Sequence, residues 1–573
     1  MIKKILNTIK SWFSVLMYQE VLFYIVLVVL MIPNILLAVT EPLTTLERVC
    51  SVVFPLSCYY LIFTLSRRLG WSIWLLCPMS LLAGFQVVLL YIYGKSVVAT
   101  DMFLNMVTTD AKESKELLGS ILMILSVVVL LYITPLVLAT ISLFKKKKLK
   151  KGFLRQNRSL AIAVALVGVS LLGMCYAASD AYSVKTGVYP INACYNMYKA
   201  VSRHDMLQNY NETSKNFKFN ASSSHSAQQR EIYVVVLGET ARACNWELLG
   251  YNRPTNPLLK QVDDLVVFDS VLTESNITHK TVPMLLSSAS AEDYDKIYSQ
   301  KSLITAFKEA GYKTAFFSNQ AHTKALVDNF GLEADKIEYL KDRSADVNFN
   351  PLDSELIKLA QDFILEGDKK QLIVLHTYGS HYNYSARYPQ EMAYFKPDSP
   401  YTPNKEFLPK LKNAYDNTIR YTDKVLYDII NMLKVVEDAH TSLLYVSDHG
   451  EELFDDEREV IFHSSTIPSY YQLHVPMLVW LDDEYNQAYP NILSSLKANS
   501  HAQVSSSASF FHTILNVAGI ETMYRNDTYS VASKAFVSRP RVYLNDHYIS
   551  VPLLSIDMGN NHIKKLESFQ LSN

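Results

Sequence analysis

Long apolar runs separated by short polar segments dominate the first third of the chain. Each is close to the roughly 20 residues that a membrane-spanning helix needs. The runs cover residues 21–39, 49–65, 71–93, 117–143 and 160–178. Pro33 and Pro135 fall inside two of them, which spanning helices tolerate. The pattern predicts an α-helical membrane domain of five spans over residues 1–180.

Lysine and arginine residues are concentrated in alternate loops of this region. They occur at Lys3 and Lys4 near the N-terminus, at Arg67 and Arg68, and throughout residues 145–158. Because basic loops stay in the cytoplasm, five spans place the remaining two-thirds of the chain on the opposite side. In a bacterium with two membranes that side is the periplasm, so the sequence predicts a multi-pass inner-membrane protein.

After residue 230, short apolar runs alternate with amphipathic segments. Strands are predicted at 231–237, 313–317, 371–376, 442–446 and 475–481, and helices at 302–310, 355–365, 405–435 and 503–518. This alternation predicts a soluble α/β domain over 230–573, with a mainly parallel sheet covered by helices. Residues 181–229 are predicted to form a juxtamembrane helix and a flexible polar linker.

Bulk composition narrows the class of protein. The net charge of the 573 residues is −1, which gives no general attraction for nucleic acid. None of the six cysteines lies after Cys244, so the soluble domain is not a disulfide scaffold. Whether Cys194 and Cys244 pair is left open by the sequence.

Acidic and imidazole side chains follow two predicted strands. Glu239 comes after the strand at 231–237, and Asp448 and His449 come after the strand at 442–446. Because the carboxyl ends of parallel strands meet at one sheet edge, these three side chains can form one site. Carboxylate and imidazole are zinc ligands, and a catalytic zinc site leaves a fourth position for a reacting group.

Further polar residues follow other strands of the predicted sheet. Lys324 follows the strand at 313–317, His381 follows the strand at 371–376, and His463 follows an acidic insertion at 455–459. Any one of these residues alone is more often structural. Their predicted convergence on one sheet edge indicates a site with several functional side chains.

A hydroxyl nucleophile is expected in the segment 273–283. Thr278 and Thr281 are both candidates, because a metal-bound hydroxyl loses its proton easily and can attack phosphorus. Spacing does not choose between them, and either threonine could instead cap a helix.

The extracytoplasmic loop between the third and fourth spans carries a polar stripe. Asn105, Thr109 and Glu113 recur at a helical spacing of four and share one face if the loop is helical. Spacing alone favours a solvated juxtamembrane helix.

Several motifs together resemble those of bacterial phosphoethanolamine transferases that modify lipid A and lipopolysaccharide core, a family that includes the polymyxin-resistance enzymes. The matching segments, in family order and over nearly the whole chain, are Leu-Gly-Glu-Thr-Ala-Arg-Ala at 237–243, Gly-Tyr-Asn-Arg-Pro-Thr-Asn-Pro at 250–257, Thr-x-x-Thr-x-Pro at 278–283, Gly-Ser-His at 379–381, Arg-Tyr-Pro at 387–389, Tyr-Asp-Asn-Thr at 415–418 and Ser-Asp-His-Gly-Glu at 447–451.

The resemblance implies an alkaline-phosphatase and sulfatase-like fold and assigns roles to the candidates. Thr278 would be the nucleophile that becomes phosphoethanolaminated, with Glu239, Asp448 and His449 as its zinc partners. The residues implied to bind the phosphate or a second metal, or to transfer protons, are Lys324, His381 and His463. Those implied to bind the ethanolamine headgroup are Asn105, Thr109 and Glu113.

The implied reaction moves phosphoethanolamine from phosphatidylethanolamine to lipid A or lipopolysaccharide core through Thr278, releasing diacylglycerol. The expected cofactor is one or two zinc ions, and the expected donor is a membrane lipid. No nucleic acid is expected to take part, and the enzyme is expected to be a monomer. The added amine lowers the negative charge of the envelope.

Two departures and two alternatives qualify this interpretation. Family members commonly carry a disulfide beside the nucleophile, whereas this chain has Ser275, Asn276 and Met284 there, and the insertion before His463 is unusual. A phosphoglycerol transferase or phosphoester hydrolase of the same superfamily is the first alternative. A membrane sensor with an inactive enzyme domain is the second, which the intact metal and nucleophile motifs disfavour.

Overall fold

The computed structural model describes residues 18–93, 96–108, 111–179, 182–323, 325–346 and 348–568. It divides into two compact units, Met1–Leu104 with Leu117–Ser202, and Asn105–Glu116 with Arg203–Asn573. The domain limits inferred from the sequence, 1–180, 181–229 and 230–573, stay predictions.

The N-terminal region is helical. Its helices are α1 (Gln19–Thr40), α2 (Thr45–Phe63), α3 (Leu69–Leu75), α4 (Cys77–Tyr93), α5 (Thr100–Thr108), α6 (Ala111–Phe144), α7 (Lys151–Ala178), α8 (Val184–Gly187) and α9 (Ile191–Gln208). Four described helices are long and apolar enough to span a membrane, and α3 with α4, bent by 56°, makes a fifth if the pair is one span. The predicted apolar helical region is confirmed.

The strands of the C-terminal region are β1 (Ser222–Ser223), β2 (Arg230–Gly238), β3 (Val266–Phe268), β4 (Val271–Leu272), β5 (Lys313–Ser318), β6 (Lys336–Tyr339), β7 (Lys370–His376), β8 (Ala439–Ser447), β9 (Glu452–Leu453), β10 (Ile461–Phe462), β11 (Met477–Leu481), β12 (Val504–Ser505), β13 (Ile520–Glu521), β14 (Val542–Leu544) and β15 (Ser550–Pro552). Its helices are α10 (Tyr210–Thr213), α11 (Thr278–Leu285), α12 (Leu303–Glu309), α13 (Leu326–Gly331), α14 (Glu355–Ile364), α15 (Leu408–Lys434), α16 (Tyr470–Leu473), α17 (Asp483–Ala488), α18 (Pro490–Ala498), α19 (Ser506–Val517) and α20 (Asn560–Ser568).

A seven-stranded sheet organises these elements, in the order β3-β11-β8-β2-β7-β5-β6. Neighbours from β8 to β6 pair in parallel, and β11 pairs antiparallel with both β8 and β3. The predicted α/β architecture with a mainly parallel sheet is confirmed. The parallel strands all end at one edge, where sites form in such folds.

Helices cover both faces of the sheet because the central strands are apolar on both sides. In β2, Tyr233 and Val235 belong to a core that includes side chains of α11, α12 and α19. Ile232 and Val234 belong to the opposite core, with side chains of α14 and α15. A strand buried on both faces is typical of a parallel sheet between two helical layers.

The segment predicted as a flexible linker is partly packed against the soluble unit. Tyr210 is 1% exposed and Phe219 is fully buried. The short strand β1 pairs antiparallel with β13. Polar composition alone indicated a linker, but two aromatic anchors bury enough apolar surface to order it.

A buried ionic cluster closes the amino end of the central strand. Glu231 is fully buried, accepts a hydrogen bond from Tyr312, and lies 2.6 Å from Nδ1 of His225 and 3.0 Å from Nζ of Lys370. Burial disfavours the carboxylate, but hydrogen bonds from His225 and Tyr312 outweigh it and hold the pKa of Glu231 below its ordinary value.

Replacement of this carboxylate should destabilise the soluble unit. Glu231→Leu removes the buried carboxylate that pairs with Lys370, which we expect to cost about 3–5 kcal/mol. Tyr312→Phe removes one hydrogen bond and should cost about 1 kcal/mol. Thermal unfolding of the full chain in detergent measures both, and equal losses of melting temperature would contradict the central role of Glu231.

Candidate active site

Strand register brings two acidic side chains together at the carboxyl edge of the sheet. Strands β2 and β8 pair in parallel with Gly238 opposite Ser447, so the next residues, Glu239 and Asp448, emerge side by side. They are 2% and 0% exposed, and His449 beside them is also fully buried. One potential ligand atom from each of the three lies within 4.8 Å of the others.

Hydrogen bonds orient these side chains toward a common point. Oδ1 of Asp448 accepts from the backbone N–H of Thr240 at 3.0 Å and of His449 at 2.7 Å. Its Oδ2 has no hydrogen-bond partner among the described residues. Nδ1 of His449 lies 2.9 Å from the carbonyl of Gly450, which leaves the lone pair on Nε2. Buried carboxylates with unused lone pairs fit a metal cation.

The hydroxyl of Thr278 lies against this cluster. Oγ1 is 3.2 and 3.3 Å from the two carboxylate oxygens of Glu239 and 3.0 Å from Nε2 of His449. Thr278 is the first residue of α11, and the cap position is Ile277, so Thr278 is not a helix cap. The hydroxyl of Thr281 instead donates to the carbonyl of Ile277 at 3.0 Å. The geometry therefore selects Thr278 from the two candidates.

An open cleft of about 760 Å³ leads to Thr278, and both predicted histidines line it. The ring of His463 lies 4.2 Å from that of His449 and 6.0 Å from that of His381. Nδ1 of His381 is 2.7 Å from the carbonyl of Tyr382, which holds its ring in place. Burial lowers the pKa of His463 to about 4 and the pKa of His381 well below its ordinary value. Both rings are therefore neutral at pH 7 in the free protein.

The Gly-Ser-His motif packs against the backbone of Glu239, one of the candidate metal ligands. The N–H of Ser380 donates to the carbonyl of Glu239 at 2.9 Å. Gly379 has a φ of +49°, and a Cβ there would lie 2.6 Å from the same carbonyl. Glycine is needed for both the conformation and the close approach, and it brings His381 to the cleft.

The motif on α15 supports the turn after β2. The hydroxyl of Tyr415 donates to the carbonyl of Thr240 at 2.7 Å and accepts from the N–H of Arg242 at 3.0 Å. Thr240 has a φ of +61°, a strained conformation for a β-branched residue. Its hydroxyl donates to Glu239 at 2.7 Å. Backbone strain at this turn is thus held by contacts that orient a metal-ligand candidate.

Three residues at the site received no role from the sequence. His376, the last residue of β7, is 2% exposed and lines the cleft, and burial lowers its pKa to about 4. Gln320 donates to the carbonyl of Thr377 at 2.8 Å and lies 3.4 Å from Glu239. Glu451 is fully buried, with Oε1 3.6 Å from Nδ1 of His463. In the sequence, only their positions at strand ends, or beside the Asp-His motif, mark these residues as candidates for the site.

Four other predicted site residues lie outside the description of side chains. Lys324 and Thr109 are not among the described residues, and the side chains of Asn105 and Glu113 are not described. Their proposed contacts stay predictions.

A second acidic cluster occurs among the described residues, where Glu452, Asp456 and His562 approach one another. The guanidinium of Arg458 lies 3.0 Å from Glu452 and 2.7 Å from Asp456. This side chain supplies the cation, so the cluster is an ion-pair network.

Two protein-family models match this chain, one in each part. The sulfatase family model matches residues 231–520, half of the chain, and the model described as phosphoethanolamine transferase EptA/EptB matches residues 55–205. The phosphoethanolamine transferase EptA of Escherichia coli K12 is 32% identical over 309 residues, which are 52% of this chain and 55% of that protein. The chain thus spans about half the length of the curated relatives it matches.

Solved structures give a consistent picture. The C-terminal periplasmic domain of EptC from Escherichia coli, crystallised in complex with Zn, has 26% identity and a TM-score of 0.54, over 60% of this chain and 98% of that one. The integral membrane lipooligosaccharide phosphoethanolamine transferase A from Neisseria meningitidis has 23% identity and a TM-score of 0.71, over 90% of this chain and 98% of that one. The second similarity supports the fold of both regions.

The hydroxyl of Thr240 should contribute to metal affinity through Glu239. Thr240→Ala removes its hydrogen bond to the carboxylate and should weaken divalent-metal binding by about 10–100-fold. Thr240→Ser keeps the hydroxyl and serves as the control. Competition with a chelating dye measures the affinity of the full chain in detergent, and equal affinities of the two variants would contradict this role.

Proposed function

The chain belongs to the sulfatase family, and we propose that it is a phosphoethanolamine transferase of the bacterial inner membrane, with its catalytic unit in the periplasm. The observation that carries the proposal is the hydroxyl of Thr278, 3.0 Å from His449 and within 3.3 Å of Glu239 in a buried metal-ligand cluster. Family membership concerns the fold, because the Cys/Ser-x-Pro-x-Arg segment that sulfatases modify is not present near Thr278.

Zinc is the proposed metal, held by Glu239, Asp448 and His449. The donor set of two carboxylates and an imidazole, with an unsatisfied oxygen on Asp448, fits that ion. When bound, zinc would lower the pKa of the Thr278 hydroxyl and offset negative charge on the phosphate. A related EptC domain was crystallised with Zn, which supports the same choice here.

In the first step, Oγ1 of Thr278 attacks the phosphorus of phosphatidylethanolamine. The new Thr278–phosphorus ester forms as the bond from phosphorus to the glycerol oxygen breaks, and the hydroxyl proton of Thr278 passes to the carboxylate of Glu239, which returns it when Thr278 is released. Oγ1 lies 3.2 Å from the nearer carboxylate oxygen of Glu239, close enough for this proton transfer. Thr278 is also at the amino end of α11, where the helix dipole favours an anionic phosphate.

His463 or His381 protonates the departing diacylglycerol oxygen. Both rings are neutral in the free protein because burial lowers their pKa values. A phosphodiester anion entering the cleft favours the protonated imidazole and raises that pKa. In the second step the neutral ring accepts a proton from the acceptor, whose oxygen attacks phosphorus and releases Thr278.

The acceptor is proposed to be lipid A or lipopolysaccharide core. The solved Neisseria meningitidis relative is named a lipooligosaccharide phosphoethanolamine transferase. The described helices that are long and apolar enough to span a membrane support access to a phospholipid donor. We further propose that Asn105, Thr109 and Glu113 bind the donor headgroup, that Lys324 contacts its phosphate, and that the enzyme acts as a monomer.

Thr278 should become covalently modified when the purified chain meets its donor. With zinc and phosphatidylethanolamine, intact-protein and peptide mass spectrometry should show phosphoethanolamine on Thr278. Thr278→Ala should show none, whereas Thr281→Ala should be modified normally, because the Thr281 hydroxyl bonds to the carbonyl of Ile277 and not to the candidate metal ligands. A glycerophosphate adduct from phosphatidylglycerol, with none from phosphatidylethanolamine, would establish the phosphoglycerol transferase alternative.

The acceptor can be identified in the host. Mass spectrometry of lipid A and core should show phosphoethanolamine with the gene present and lose it when the gene is deleted. Restoring the gene with Thr278→Ala should not recover the modification. No difference in either glycolipid between the parent and deleted strains would remove the proposed acceptor class.

A further inference from the structure

Two catalytic loops are joined through one buried side chain, Asn276. This residue is 2% exposed and lies two positions before Thr278. Its side-chain Nδ2 donates to the carbonyl of Ser465 at 2.9 Å. The main-chain carbonyl of Asn276 accepts from the N–H of Ser464 at 3.1 Å. Because those partners directly follow His463, Asn276 connects the nucleophile loop to the loop of the proposed proton donor.

Gln472 extends the connection to the other side of His463. Its Oε1 accepts from Nδ2 of Asn276 at 3.0 Å, and its Nε2 donates to the carbonyl of Phe462 at 2.9 Å. The residues before and after His463 are therefore both held by the Asn276–Gln472 pair. These hydrogen bonds are buried, where their loss is costly.

The backbone that carries His463 requires such support. Phe462 and Ser464, its two neighbours, have φ angles of +75° and +62°, in the left-handed region that side-chain-bearing residues rarely adopt. Strained conformations persist only where the surroundings hold them, and they cluster at functional sites. Asn276 and Gln472 form hydrogen bonds with these two strained residues and with Ser465, the residue that follows them.

The side-chain oxygen of Asn276 contacts a different element. Its Oδ1 accepts from the hydroxyl of Tyr543, in β14, at 2.8 Å. Asn276 thus uses Nδ2 to hold the His463 loop and Oδ1 to contact β14. This separation of roles makes Tyr543 the matched control position.

We propose that Asn276 is a positioning residue for proton transfer, which fixes the imidazole of His463 relative to Thr278. The inference rests on the proposed function and deepens it. It assigns His463, the ring whose loop Asn276 holds, as the donor to the departing alkoxide. It also predicts that Asn276 affects how fast the phosphorus–oxygen bond breaks only when the leaving group must receive a proton.

The identity of the leaving group separates this role from a general structural one. With phosphatidylethanolamine, the Thr278–phosphorus bond forms, the phosphorus–glycerol bond breaks, and the imidazolium proton moves to the glycerol oxygen. With 4-nitrophenyl phosphoethanolamine the same bond to Thr278 forms, but nitrophenolate leaves without needing a proton. A displaced His463 slows only the first reaction, whereas a damaged nucleophile or metal site slows both.

Single-turnover modification of Thr278 in the full chain, with zinc, tests the proposal. Asn276→Asp keeps the size of the side chain and loses both Nδ2 bonds. We expect it to slow modification by phosphatidylethanolamine at least ~10-fold, within the range of general acid catalysis, and by the nitrophenyl ester less than ~3-fold. Tyr543→Phe removes the hydroxyl that donates to Oδ1 of Asn276, leaves both Nδ2 bonds in place, and should change neither rate by more than ~3-fold. Zinc content of each variant checks the metal site.

A double-mutant cycle tests whether Asn276 acts through His463. In a His463→Ala background, Asn276→Asp should cause no further loss with phosphatidylethanolamine, because the positioned group is already absent.

Equal slowing of both donors by Asn276→Asp, or the same loss in the presence and absence of His463, would overturn the inference and leave the proposed function intact. Failure of the parent chain to acquire an adduct from either donor would overturn both.

Discussion

The site depends on the burial of two carboxylates at adjacent strand ends. Register between β2 and β8 makes the approach of Glu239 and Asp448 unavoidable once the sheet forms. Both are almost fully removed from water, and one oxygen of Asp448 has no hydrogen-bond partner among the described residues. Two buried carboxylates side by side are unfavourable when both are ionised, so this arrangement favours a bound cation. The fold thereby forms a candidate metal site from strand ends alone.

The other functional groups reach that site from loops, and each loop is held by its own contacts. Thr278 begins α11, His381 follows a glycine that approaches the carbonyl of Glu239, and His463 lies between two left-handed residues. The resulting site is locally strained and supported by tyrosine, asparagine and glutamine side chains. Such support is what keeps reacting groups within the small tolerances of catalysis.

Local sequence patterns were sufficient to predict much of this structure. Continuous apolar runs identified the membrane helices and the buried strands, and strand ends identified Glu239 and Asp448. Sequence spacing could not choose between Thr278 and Thr281, because that choice depends on how α11 approaches β2 and β8. It also could not show that Tyr210 and Phe219 order the predicted linker. The sequence marked Asn276 only as a position where related proteins carry a cysteine. Its contacts join loops nearly two hundred residues apart, which no local pattern shows.

The loops around the nucleophile are braced by hydrogen bonds rather than by covalent links. Cys244 is the single cysteine after residue 203, and it is a free thiol. The unit Arg203–Asn573 therefore matures without any thiol oxidation inside it. The hydrogen bonds that hold its loops therefore do not depend on disulfide formation, and a reductant leaves them intact.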